Sequence, residues 1–156
     1  MNAKEHLTVG VIVSILVAVA LLFLGYLPLN IPNLIIVFII AVLFCLLPDI
    51  DHPISTITYF FFGTGIIGML LAIGDDKFSL GLPYMTFMLY GSLALLVTTF
   101  IFAKFVKHRG FVHTIWFGAL CAALLYLVTG QWQHSVIAFF SFYSHLAADN
   151  LWFKLF

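Results

Sequence analysis

Residues 7–27 read LTVGVIVSILVAVALLFLGYL, a run of about 20 positions without a charged side chain, and an apolar run of about that length is what a helix needs to cross a bilayer. The rest of the chain repeats the pattern. Further apolar segments cover Asn33–Leu47, Ile54–Ile73, Leu82–Phe105, Phe111–Thr129 and Ser135–Phe153. Breakers separate them: Pro28 and Pro32, Pro48 and Pro53, Gly74 to Gly81, Gly110 and Gly130. The pattern predicts an all-α, polytopic membrane helical bundle of about six transmembrane helices, forming a single integral-membrane domain over residues 1–156. The second segment, of about 15 residues, is too short to cross upright, so its Leu-Pro-Asp end is expected to stop inside the protein or near the interface.

Composition excludes a soluble globule. Of 156 residues, 64% are hydrophobic and 8% charged, with a mean hydropathy of +1.20, against roughly 25% charged in an ordinary soluble domain. Six Lys and Arg balance six Asp and Glu, which leaves no electrostatic footprint for nucleic acid and no basic tail for anionic lipid. Cys45 and Cys121 lie inside apolar runs and read as packing residues rather than a disulfide or zinc knuckle. The N-terminal run lacks a small-residue cleavage site and is expected to be a retained first span.

With an even number of spans, Lys4, Lys104, Lys107, Arg109 and Lys154 share one side and Lys77 stands on the other. The positive-inside rule then predicts both termini in the cytoplasm of a multi-pass inner or plasma membrane protein. Tyr26, Tyr84, Trp132 and Trp152 fall near the expected span ends, where amphipathic aromatics settle.

The few polar residues gather on the cytoplasmic half. His6 opens the first span; Asp49, Asp51 and His52 fill the Pro-bracketed second connection; His108, Arg109 and His113 mark entry into the fifth span; His145 and Asp149 lie toward the end of the sixth. On the opposite side, His134, Asp75 and Asp76 read as solvated turns. His145 and Asp149, spaced i, i+4, share one helix face, the arrangement by which one helix presents two metal ligands. Ionisable residues inside a span are costly and usually face a bundle interior with a partner.

Three carboxylates and several imidazoles in a low-dielectric pocket need more positive charge than Lys107 and Arg109 supply. A divalent metal meets that need. Mixed carboxylate and imidazole donors suit Zn first, then Mn or Fe, as one or two ions on Asp49, Asp51, His52, His113, His145, Asp149 and His6. Such a site lowers the pKa of a bound water toward neutrality. Arg109 is placed to clamp a phosphate or stabilise developing negative charge. His108 and Asp51 join it as candidate catalytic groups, with Asp49 or Asp51 the base if it is not a ligand. Ser55 reads as a substrate or supporting contact. Plainer readings stand beside these: the acidic turn as a polar loop, His145 with Asp149 as a hydrogen-bonded pair gluing helices, and His108 with Arg109 as part of the topology signal.

The same residues carry a resemblance. LLPDIDHPIS (46–55), HRGFVHT (108–114) and SHLAAD (144–149), with His6 near the start, resemble in order the YdjM-like family of predicted inner-membrane, metal-dependent hydrolases. That resemblance implies a polytopic membrane protein, with metal binding carried onto Asp49, Asp51, His52, His113, His145 and Asp149 and with Arg109 beside them. The helical His-x-x-x-Asp pair also looks, more distantly, like ligand pairs of zinc-dependent phospholipases C.

The expected function is therefore metal-dependent hydrolysis of an ester or phosphoester, with a lipid entering sideways from the bilayer as one substrate. Two rivals remain at this stage: a metal or proton transporter, and a structural membrane protein whose metal staples helices. The His-Glu-x-x-His signature of site-two proteases is absent.

Overall fold

A computed structural model describes residues 3–78, 85–107 and 110–150. It is all-α. The helices are α1 (Ala3–Phe23), α2 (Ile31–Leu46), α3 (Thr56–Phe78), α4 (Met85–Phe105), α5 (Ile115–Thr129) and α6 (Trp132–Ala148), with short 3-10 turns at Leu47–Asp51 and Phe111–His113. Six helices stand where six apolar segments are expected, and α1, α2 with its 3-10 extension, α3 and α4 are long and apolar enough to cross a membrane. The fifth is shorter than a span requires. At 15 residues and about 1.5 Å per residue, α5 reaches about 22 Å, below the roughly 30 Å of a hydrocarbon core.

Two boundaries differ from expectation. The second segment is not short: it runs 21 residues, from Ile31 to Asp51. Pro32 sits in its first turn, where a missing N–H costs nothing, and Asn30 caps it by accepting from Asn33 N at 2.9 Å. Pro48 is the second residue of a 3-10 turn, Leu47–Asp51, that continues the helix rather than ending it. Likewise α3 passes through Gly74, Asp75 and Asp76 to Phe78, because a single helical glycine costs only about 1 kcal/mol.

Packing divides the chain into two compact units, Met1–Pro48 with Lys107–Phe156, and Asp49–Val106. In the second unit α3 packs on α4, with Leu96 and Ser92 pressed onto Gly65 and Gly68. In the first, α6 packs on α1, α2 and α5. The least apolar helix is thus the most surrounded: His134, Ile137, Ala138, Ser141, Phe142, Ser144, His145 and Leu146 are all buried. His134, expected in a solvated turn, is buried in the first turn of α6 because three neighbours enclose that helix. Outward positions such as Ile12, Leu16, Phe38, Leu120 and Leu127 are exposed and apolar, as a lipid-facing surface requires.

Close approach depends on missing side chains. A Cβ on Gly10 would collide with Cys45 Sγ, and one on Gly118 with the Phe142 ring. Ser141 Oγ donates to Ala41 O at 2.7 Å, tying α6 to α2. The far half of this unit closes on an apolar cluster of Ala18, Leu21, Leu27, Val37, Ile40, Ile137 and Ala138.

Candidate metal centre

Four of the ligands expected from sequence come together in the first unit. His6 stands in the first turn of α1, His113 ends the 3-10 turn before α5, His145 is in the last turn of α6, and Asp149 is the residue that caps it. His113 and His145 are fully buried, and His6 is 4% exposed.

Local structure explains each placement. Thr114 is extended between the 3-10 turn and α5; its hydroxyl donates to Phe111 O at 2.7 Å and accepts from Phe117 N at 3.2 Å, which fixes the direction of the preceding His113. Asp149 leaves the helix with its N–H on His145 O at 3.0 Å, which keeps its side chain one turn from the His145 ring. Gly10, one turn after His6, lets α1 lie against Cys45.

The imidazoles of His6 and His145 stack with centroids 4.1 Å apart and planes 17° from parallel. Asp149 meets one ring with each oxygen: Oδ1 is 3.3 Å from His6 Nε2, and Oδ2 is 3.8 Å from His145 Nε2. Donor atoms of His6, His145 and Asp149 all lie within 4.8 Å of one another, a grouping that can hold a metal ion. His113 meets His145 edge to face at 5.6 Å, with a ring nitrogen within 4.8 Å of one of His145.

One hydrogen bond sets the chemistry of this group. His145 Nδ1 lies 2.8 Å from Cys45 O, and a carbonyl only accepts, so Nδ1 carries the hydrogen. In the neutral ring Nε2 then presents a lone pair toward a carboxylate, which is also an acceptor. Two acceptors facing each other in a buried site call for a cation between them, a proton or a metal ion. A ring N–H held by a backbone carbonyl is the usual support of a metal-bound histidine. His6 Nδ1 is also buried with no hydrogen-bond partner among the described residues. Two nitrogens and a carboxylate are a donor set that fits Zn, Mn or Fe.

The remaining expected ligands open the other unit. Asp49 and Asp51 lie on the 3-10 turn, followed by His52, in the unit that begins at Asp49. Asp51 is 2% exposed. The Thr58 hydroxyl reaches the carbonyls of His52 at 2.9 Å and Ile50 at 3.3 Å, so the first turn of α3 clamps the acidic turn. Ser55, expected as a substrate contact, instead accepts from Thr58 N at 3.2 Å and caps α3. His108 and Arg109 lie outside the described residues. Cys45 and Gly10, read from sequence as packing or unremarked, turn out to border the histidines.

The profile of the YdjM inner membrane protein family matches residues 1–154. The chain belongs to the YdjM inner membrane protein family. With four helices able to cross a bilayer, it is a multi-pass inner-membrane protein. Neither a curated protein nor a solved structure matches it. The YdjM family match covers all three motifs and both packing units.

Proposed function

We propose that this YdjM-family protein is a membrane-bound, metal-dependent hydrolase of an ester or phosphoester, with lipids as the first substrate class to test. The observation that carries the reading is the His145 Nδ1 bond to Cys45 O, which aims Nε2 at the carboxylate that His6 also meets. His6, His145 and Asp149 hold the ion in this proposal, with His113 beside them. Asp49, Asp51 and His52 enter this proposal as further ligands on the strength of the sequence. A divalent ion bound there supplies the charge that makes water a nucleophile near neutral pH. Asp149 is the carboxylate shared by both imidazoles, His113 is a further candidate ligand, and Asp49 or Asp51 is the base if it is not a ligand. Arg109 and His108 are assigned, on sequence, to the anionic part of the substrate.

Elemental analysis of detergent-purified protein tests the metal, and vesicles of mixed phospholipids, followed for metal-dependent release of fatty acid or headgroup, test the reaction. Near-stoichiometric Zn, Mn or Fe with product formation supports the proposal. Metal without turnover on any ester or phosphoester reduces it to a helix staple, a reading favoured by the His6 to Asp149 contact between α1 and α6. A transport path is disfavoured, since the buried face of α1 passes from His6, Gly10 and Ser14 into the apolar Ala18 and Leu21.

A further inference from the structure

Cys45 touches both stacked histidines, through different atoms. Its carbonyl takes the Nδ1 hydrogen of His145 at 2.8 Å, and its thiol donates to the backbone carbonyl of His6 at 2.9 Å. It is fully buried. We propose that Cys45 is a positioning residue of the metal centre, selecting the tautomer of His145 and fixing the height of His6 against it. The proposal rests on the metal reading of the preceding section.

The two bonds act on different degrees of freedom. A ring rotated about its Cβ–Cγ bond, or protonated on Nε2 instead, would turn a hydrogen rather than a lone pair toward Asp149; the Cys45 carbonyl disfavours both. Helix α1 reaches the site at its first turn, where a helix end frays most readily. The thiol bond holds that turn to α2, and Gly10 removes the one side chain that would keep the two helices apart. Stacking at 4.1 Å depends on that register. Sulfur also explains why a residue with no donor role of its own toward the ion stands here: a Cys is small enough for the Gly10 contact and still carries a hydrogen for His6 O.

The test uses full-length protein in detergent as wild type, Cys45→Ala and Cys45→Ser, titrated with Co²⁺ followed by visible absorption and with Zn²⁺ in competition. Alanine should weaken metal binding about tenfold, as loss of a supporting contact does, with helix content unchanged. Serine, whose hydroxyl can donate to the same carbonyl, should restore most of it. A packing role alone predicts the reverse, because Ser and Ala are alike in size and Ser is the more polar; equal loss in both variants, or no loss in Ala, overturns the proposal. Separately, ¹⁵N shifts of His145 in metal-free wild type should report the hydrogen on Nδ1, and a hydrogen on Nε2 overturns the tautomer selection. Wild type that binds no metal sinks the hydrolase reading instead, and leaves the ¹⁵N result to decide the tautomer by itself.

Discussion

His6 and His145 lie face to face, 4.1 Å between centroids, and a single carboxylate, Asp149, serves both rings. Stacked imidazoles with their nitrogens turned to one carboxylate behave as a unit, so perturbing either one should be felt by the other.

Asp149→Asn keeps the shape and removes the charge. Bound metal should fall from near one equivalent to a small fraction, read by elemental analysis after dialysis, since a neutral amide is a poor ligand for Zn. Full occupancy in this variant would place the ion elsewhere.

His6→Ala and His145→Ala should be non-additive. If both donate to one ion, the double variant loses about as much metal affinity as the worse single variant, a coupling of about 1 kcal/mol or more. Losses that simply add would mean two independent sites.

Metal affinity should weaken as the pH falls. Imidazoles must be neutral and the carboxylate ionised to bind, so protons compete with the ion. Zn²⁺ titrations at stepped pH, with proton release followed in weak buffer, check the sign; affinity that rises on acidification would contradict imidazole ligation.

Gly118→Ala and Gly63→Ala separate packing from propensity. A Cβ at Gly118 meets the Phe142 ring, while one at Gly63 meets nothing within 4 Å. The first should destabilise by about 1–3 kcal/mol, and the second should be neutral or stabilise by up to about 1 kcal/mol. Thermal unfolding in detergent measures both.

Thr58→Val tests the clamp on the acidic turn. It strips the hydroxyl from the carbonyls of His52 and Ile50, at a cost of about 0.5–1.5 kcal/mol for each hydrogen bond lost. Faster hydrogen exchange at the His52 and Ser55 amides, which bond to Asp49 O and His52 O, is the local readout.

Much of this was legible in the sequence because it is written in side-chain polarity. Apolar runs announced the helices, and the isolated His and Asp residues inside them marked the candidate site, since a membrane span seldom carries such groups without a use. What escaped has a different character. Pro32 and Pro48 read as breakers because proline's meaning depends on its position in a turn, and both sit where a helix tolerates it. Cys45 acts on His145 through a backbone carbonyl, which every residue possesses and no composition flags. Gly10 matters only through its neighbour on another helix. His134 looked solvated because its burial comes from the enclosure of α6 by three neighbours, a tertiary fact.

That enclosure bears on how the protein is made. Helix α6 carries Gln133, His134, Ser135, Ser141, Ser144 and His145, a load that a lone helix would bring into lipid at considerable cost. It follows α1, α2 and α5 along the chain. Its three packing partners are all made before it, so α6 has protein to pack against rather than hydrocarbon alone. The order of the helices along the gene thus spares the bilayer its most polar guest.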